Sequence, residues 1–426
     1  MRVVVVGAGV IGLASAHYLL RAGHDVIVLD RAGEDARGTS YGNAGMVVPS
    51  HFVPLAAPGA VLQALKWMPN PESPFHVAPR PSLRLMRWGL EFWRAATRKR
   101  VEAAAPRLLA LSRASRAAYE ELQHDVGDFG LRGDGLLMVS ATDAGHAEET
   151  ELAHEAVKLG LEVRVLDRQG VADLEPRAGY AAAGAVHYRD DAHLDPGRLL
   201  ERLHAAVTSA GGEIRHRTRV QRLLTREGRV IGVDGPGLRE LADRVVLAAG
   251  SWSANLAAGV GLSLPLEPGT GYSLTAPAPG SGPGLPAILT EARVAITPLE
   301  GRLRVGGTME MAGFPQEGSP PSHRRVTGIL NSVSRYLPGL ELEPFRQATA
   351  WRGHRPCTPD GLPYLGQASS PRGLVVATGH AMLGISLAPI TGKVVAALVS
   401  GESPERDVTL LDLTLFDPER YSRRGR

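Results

Sequence analysis

The first thirty residues constrain this chain more than any other stretch. Arg2-Val3-Val4-Val5-Val6 is a β-branched run, and Gly7-Ala8-Gly9-Val10-Ile11-Gly12 follows at once. Leu13 to Leu20 reads as an Ala- and Leu-rich helix. Gly23 ends it, and Val26 to Leu29 form a second strand with Asp30 at its tip. A βαβ dinucleotide unit needs a residue of each kind at each of these places. Gly7 permits the tight turn, Gly9 lets the backbone approach a pyrophosphate, and Gly12 lets helix and strand pack closely. The helix N-terminus turns free N–H groups and partial positive charge toward the phosphates. Asp30 stands 18 residues beyond Gly12, where a ribose-binding acid belongs. An ADP-containing cofactor is the expectation.

At 426 residues the chain is too long for one simple core. A 44% hydrophobic and 21% charged composition suits a globular protein, and a net charge of +3 gives no reason to invoke nucleic acid. One cysteine, Cys357, excludes an intrachain disulfide and a cysteine-ligated iron–sulfur site. No metal site is expected. No apolar run reaches the ~20 residues of a membrane span, and Val3 to Val6 enter the glycine loop with no leader pattern before them. The cytoplasm is the expected compartment.

Beyond a polar loop, Arg31 to Gly38, the small and hydroxylated residues Thr39-Ser40-Tyr41-Gly42-Asn43-Ala44-Gly45-Met46 suit a backbone running beside a ligand. Prolines at 49, 54, 58, 69, 71, 74, 79 and 81 predict an extended, irregular excursion, in which His51 is a candidate for the substrate pocket. Residues 82 to 126 are helical by periodicity. Leu83, Met86, Leu90 and Trp93 form the stripe expected to face the core, and Pro106 is expected to start a new helix. Arginines along that first helix, mixed with Trp88, Phe92 and Trp93, leave a membrane-surface role open beside a solvated basic face. Asp195-Pro196-Gly197 should cap a helix that Gly211-Gly212 ends. Arg244 to Gly250 is a strand ending in small residues, and residues 262 to 310 alternate like antiparallel strands. Leu374 to Thr378 then runs into Gly379-His380-Ala381-Met382-Leu383-Gly384 and a helix from about Ile385, repeating the N-terminal strand–glycine–helix logic.

Together these pieces resemble the FAD-dependent amine and amino-acid oxidoreductases of the D-amino-acid oxidase type. The likeness spans nearly the whole chain. It rests on Gly7-x-Gly9-x-x-Gly12, Thr39-Ser40 with Asn43-Ala44-Gly45, Ala248-Ala249-Gly250-x-Trp252, Gly306-Gly307-Thr308, Arg355-Pro356-x-Thr358-Pro359-Asp360-Gly361, Gly379-His380-x-x-x-Gly384 and Thr391-Gly392. Within the family, Asn43-Ala44-Gly45, Pro54-x-Ala56-Ala57-Pro58-Gly59, Lys66-Trp67-Met68 and Gly271-Tyr272-Ser273-Leu274-Thr275 resemble the small subunit of bacterial D-amino-acid dehydrogenases.

The resemblance implies an α/β fold in two parts. A Rossmann-like FAD-binding domain would take residues 1–46, 161–258 and 345–426. An α+β substrate domain on a mainly antiparallel sheet would take 47–160 and 259–344. It implies non-covalent FAD, with Gly7, Gly9, Val10, Ile11 and Gly12 at the pyrophosphate and Asp30 and Arg31 at the adenosine end. Val220, Ala249, Gly250 and Trp252 would complete that end. Thr39, Ser40, Asn43, Ala44, Gly45, Met46, Gly353, Gly379, Met382, Leu383, Gly384, Ile385 and Ser386 would lie along the flavin. Arg355 matches the arginine that pairs with a substrate carboxylate, a task suited to a bidentate guanidinium. A structural ion pair, with Asp360 as partner, is the competing role. Tyr272 and His51 are candidate pocket walls and His380 a candidate base.

The implied reaction is oxidation of an amine carbon to an imine by hydride transfer to flavin N5, after which water releases a keto acid; a D-proline-like substrate would give a cyclic imine. Thr270 stands where such dehydrogenases carry lysine. Met382 stands where some oxidases carry a cation that assists reaction with oxygen, which favours an acceptor such as a quinone or a partner redox protein. The alternatives are an oxygen-using glycine, sarcosine or D-amino-acid oxidase, the catalytic subunit of a hydroxyproline dehydrogenase complex, and a binding protein without catalysis. Oligomeric state is left open, as is peripheral contact with the inner face of a membrane.

Overall fold

The computed structural model describes residues 1–34, 38–68, 73–78, 82–316, 318–401 and 411–422. The described helices, in chain order, are α1 (Val10–Arg21), α2 (Ala60–Trp67), α3 (Leu83–Ala95), α4 (Arg98–Val126), α5 (Asp143–Lys158), α6 (Arg168–Leu174), α7 (Pro196–Ser209), α8 (Ser253–Ala258), α9 (His323–Tyr336), α10 (Glu343–Gln347) and α11 (Ala388–Ser400).

The N-terminal strand Arg2–Val6 lies inside a six-stranded sheet. Its order is Tyr364–Gln367, Leu374–Thr378, Arg244–Leu247, Arg2–Val6, Asp25–Leu29, Glu213–Arg215. All neighbours pair in parallel except Tyr364–Gln367, which closes one edge antiparallel. The unbroken valine run is explained by burial on both faces. Val3 and Val5 pack under α1, α4 and α11, while Val4 and Val6 pack against Leu223, Val230 and Val233 of a three-stranded antiparallel sheet.

The second part is a nine-stranded, mainly antiparallel sheet. Its path runs Trp351–Cys357, Glu267–Pro277, Arg302–Met311, Val294–Leu299, Ala287–Leu289, Leu136–Ser140, Gly184–Tyr188, Val163–Asp167, with Phe75–Val77 added beside Arg302–Met311. Helix α9 covers part of it through Ile329, Leu330 and Val333. A short ribbon, Met46–Val47 with Ala192–His193, ties the glycine-loop side to it.

Several expectations shift. Strands Val163–Asp167 and Gly184–Tyr188, expected with the cofactor sheet because they lie beyond residue 160, hydrogen-bond into the large sheet. So does Trp351–Cys357, which zips onto Glu267–Pro277. Conversely α4 packs Leu108 and Leu111 beside the cofactor sheet. Pro106 starts no helix: α4 passes through it, and the Arg107 guanidinium donates to the Ala103 carbonyl at 2.8 Å. An interior proline costs ~3 kcal/mol, here offset by burying Ala105, Leu108 and Leu109 around it. The break falls at Ala96 and Thr97, both outside helical geometry. The proline-rich excursion carries α2 in the gap after Pro58; Pro69, Pro71, Pro79 and Pro81 lie outside the described residues.

The face of α3 is also reversed. Leu83 is 85% and Trp93 64% exposed, and Met86 and Leu90 are exposed with them. The inward face is Leu85, Trp88 and Phe92. Trp88 decides it: its ring stacks on Phe92 and its Nε1 donates to the Cys357 carbonyl at 2.9 Å. The opposite stripe, though regularly spaced, has no such anchor.

Candidate active site

A cavity of about 1640 Å³ runs from the glycine loop to the large sheet. Ligand pockets for one drug-sized molecule span ~300–1,000 Å³, so this one has room for a dinucleotide and a second small molecule. At its floor the three glycines differ as steric reasoning expects. Gly7 has φ +111°, and a Cβ there would lie 2.5 Å from the Ala248 carbonyl oxygen. A Cβ at Gly12 would lie 1.8 Å from the Gly7 oxygen, so Gly12 serves packing and does not line the cavity. A Cβ at Gly9 would meet only the Ser40 hydroxyl, at 3.6 Å, and would otherwise project into the cavity. The space beside Gly9 is a cradle for a ligand. Gly9 brings no capping side chain to α1, and Ser40 Oγ accepts from the Val10 N–H at 3.2 Å.

Asp30 accepts from the Ala8 N–H at 2.6 Å and the Ala32 N–H at 2.8 Å. A carboxylate has about four acceptor sites, so capacity remains for ribose hydroxyls. Arg31 lies 4.0 Å over the Trp252 ring, which stacks on Phe314 at 4.7 Å. Val220, Ala249 and Gly250 complete this end of the wall.

The 39–46 loop is held from outside. Buried Arg304 donates to the carbonyls of Tyr41 at 2.9 Å and Asn43 at 2.7 Å, Ser273 Oγ to that of Gly42 at 2.9 Å, and Thr297 Oγ1 to that of Ala44 at 2.7 Å. The large sheet thus fixes the loop's carbonyls. Thr39, Ser40, Asn43, Ala44 and Met46 line the cavity. Gly45 does not; a Cβ there would strike the Leu194 oxygen at 2.1 Å.

At the other end Arg355 lies on the strand Trp351–Cys357, its guanidinium stacked over Gly271. Nη1 donates to the Thr308 carbonyl at 2.7 Å. Thr308 presents that oxygen from a left-handed conformation, φ +67°. Among the described residues no carboxylate pairs with Arg355, and burial lowers its pKa. Asp360, the competing partner, is taken: Arg420 grips it through Nε at 2.7 Å and Nη2 at 2.9 Å. Tyr272 lines the cavity but spends its hydroxyl on Glu310 at 3.0 Å, and burial, then Glu310, push its pKa up to about 12. His354, beside them, bonds Thr270 Oγ1 through Nδ1 at 3.0 Å; burial, then Arg352 and Arg31, lower its pKa to about 4.

His51 lines the same cavity, its Nδ1 3.0 Å from Ser50 Oγ. His380 is 3% exposed and its Nε2 sits 3.1 Å from Thr391 Oγ1 on α11. Burial lowers its pKa to about 3, and the ring, which lines the cavity, ties the turn after Leu374–Thr378 to α11. Gly353, Met382, Gly384 and Ile385 line the wall. Gly379, Leu383 and Ser386 lie behind it. A Cβ at Gly379 would strike Thr358 Cγ2 at 2.6 Å, and Ser386 Oγ accepts from the Val48 N–H at 2.9 Å. Helix α11 starts at Ala388, three residues later than its periodicity suggests, because residues 383–387 form turns that present the Gly384 backbone to the cavity.

The family model for FAD dependent oxidoreductases matches residues 2–398. The chain belongs to this family. A D-amino acid dehydrogenase of Bradyrhizobium diazoefficiens is 35% identical over 434 aligned positions that cover both proteins in full. The crystal structure of a glycine oxidase from Geobacillus kaustophilus superposes with a TM-score of 0.77 at 28% identity, covering 98% of this chain and 99% of that one. An L-proline dehydrogenase from P. horikoshii shares the fold, with a TM-score of 0.75 at 17% identity, covering 99% and 98%. The cofactor of this FAD-dependent oxidoreductase is FAD. The Gly9 cradle, the open N-terminus of α1 and the spare acceptor capacity of Asp30 fit its pyrophosphate and ribose. No described helix is long and apolar enough to cross a membrane.

Sequence reasoning missed Arg304 and Thr297, which with Ser273 set the loop, and Glu310, which sets Tyr272; Ser273 and Thr308 entered only as members of motifs, without the roles they play here. Each acts across sheets at a distance no local pattern records. Arg304 and Glu310 left a signal, each a charged residue between two buried apolar ones in the same strand.

Proposed function

We propose that this oxidoreductase oxidises the amine carbon of a D-amino acid, D-proline-like substrates included, to an imine, and passes the electrons to an acceptor other than oxygen. Arg355 carries the reading. A half-buried guanidinium facing the cavity, with no acidic partner among the described residues, is costly unless a ligand supplies the anion, and an α-carboxylate fits its fork. When bound, FAD supplies the two-electron acceptor. Arg355 anchors the carboxylate, and Tyr272 walls the pocket with its ring while Glu310 holds its hydroxyl aside. The D-configuration and the dehydrogenase class are supported by the 35%-identical relative and by uncharged Met382 on the wall. Non-covalent FAD is supported by Cys357, which is fully buried against Met309 and Gly269 and does not line the cavity.

The acceptor in this reading lies at an anionic lipid surface on the cytoplasmic side. Exposed Leu62, Leu65, Met68, Leu83, Met86, Leu90 and Trp93 are flanked by exposed Lys66, Arg87 and Arg94. Leu65, Met68 and Trp93 also line the cavity mouth. Apolar anchors ringed by cations suit such an interface.

The test is anaerobic bleaching of the visible flavin spectrum by D- and L-amino acids, glycine, sarcosine and both prolines, followed by air. Bleaching by D-amino acids with slow recovery is the expected result. Fast recovery with peroxide would make the protein an oxidase, and no bleaching by any of the panel would overturn the substrate class.

A further inference from the structure

Asp191 is fully buried in the turn after Gly184–Tyr188. Among the described residues it pairs with no cation. Both its oxygens are held by one residue: Ser50 donates its N–H to Oδ1 at 3.0 Å and its hydroxyl to Oδ2 at 2.5 Å. A serine hydroxyl has one proton. With that proton committed to the carboxylate, Ser50 Oγ faces His51 Nδ1, 3.0 Å away, as an acceptor. The network therefore assigns the His51 proton to Nδ1 and leaves Nε2 a lone pair. Among the described residues no group bonds Nε2, and it is not among the buried unpaired atoms, so it opens to the cavity that His51 lines. The result is a continuous chain of hydrogen bonds from cavity to buried carboxylate, joining residues 141 positions apart.

We propose that His51, Ser50 and Asp191 form a proton relay that takes the ammonium proton of the bound amine at His51 Nε2 and stores it on Asp191. The proposal rests on the amine-oxidising reading above. The proton binds Nε2, the Nδ1 proton passes to Ser50 Oγ, and the Ser50 proton passes to Asp191 Oδ2. The ammonium becomes a neutral amine, the carboxylate a carboxylic acid, and the imidazole ends neutral as its other tautomer. No electrons move and no new charge is created. His51 is the group that touches substrate; Ser50 and Asp191 are positioning residues.

The electrostatics suit a transfer that does not stop at the imidazole. Burial, and then Arg293 opposite, lower the His51 pKa to about 4, so an imidazolium is not sustained. Burial raises the Asp191 pKa to about 7 against the two Ser50 bonds; Asp190 on its own turn raises it further and Arg116 of α4 lowers it. Above that pH the carboxylate is empty and can receive; below it the store is full.

The experiment is the pH profile of kcat/KM for D-alanine with a dye acceptor, on wild-type holoenzyme, Ser50→Ala, Asp191→Asn and Ser50→Thr. The wild type should rise to a plateau through a midpoint near 7. Ser50→Ala and Asp191→Asn should lose at least tenfold at pH 7.5 and rise without a plateau to pH 9, as free amine alone becomes limiting. Ser50→Thr should restore the plateau. Nitrogen-15 NMR of wild-type holoenzyme should show His51 protonated at Nδ1. The relay is overturned if Ser50→Ala keeps the wild-type profile with only a lowered Tm, or if the resting tautomer carries its proton on Nε2. Failure of wild type to bleach with any amine would instead overturn the substrate reading, while the NMR result stands apart from activity.

Discussion

Replacing Arg355 by methionine tests the carboxylate anchor most directly. In the free protein the guanidinium makes one hydrogen bond, to the Thr308 carbonyl, and no ion pair among the described residues. It is desolvated, as its lowered pKa reflects. Removing one partner of a buried, hydrogen-bonded charge pair costs about 2–5 kcal/mol, or roughly 30- to 5,000-fold in kcat/KM at ~1.36 kcal/mol per tenfold. The loss should fall on kcat/KM for D-alanine in a dye-reduction assay. Stability should behave oppositely. An uncompensated buried charge replaced by an apolar side chain of similar length is neutral or stabilising, so Tm should hold or rise. Gly271→Ala gives a second handle, since its Cβ would lie 2.2 Å from Nη1 and push the guanidinium aside without removing its charge; KM should rise with little change in Tm. An R355M variant with wild-type kcat/KM and a Tm lowered by several degrees would refute the anchor and restore a structural role.

Three further outcomes follow from the same geometry. Gly9→Ala should fold with near-wild-type Tm in the apo form but bind FAD at least tenfold more weakly by flavin titration, whereas Gly12→Ala, facing the Gly7 oxygen at 1.8 Å, should fail to accumulate as folded protein. Leu83→Glu combined with Leu90→Glu, both exposed and away from the cavity lining, should abolish co-sedimentation with anionic vesicles while leaving dye reduction intact. Asp360→Asn should cost about 3–5 kcal/mol by breaking a buried ion pair with Arg420, measured by denaturant unfolding. Burial raises the Asp360 pKa, but the Arg420 charge and hydrogen bonds outweigh it and hold it below the ordinary carboxylate value. The pair's stabilisation is therefore present above that value and lost as pH falls through the lowered one. An unfolding free energy flat across that acid window would refute it.

What local sterics govern was legible in the chain itself. The turn at Gly7, the close approach at Gly12 and the open space at Gly9 follow from glycine geometry within six residues, and the valine run announced a strand buried on both faces. The Asp195 cap on α7 was equally local: Oδ1 accepts from Gly197 N–H at 2.9 Å. The tertiary structure decided what depends on which distant groups meet. Periodicity showed that α3 is amphipathic, but the Trp88 bond to the Cys357 carbonyl selected its inner face. The sequence offered nearby Asp360 as a partner for Arg355, yet Arg420 holds it. Ser50 and Asp191 carry no sequence signature at all, because a hydrogen bond across 141 residues leaves no spacing to read. Short-range sterics act through neighbours in the chain. The partners of a buried charge are set only once both sheets are in place.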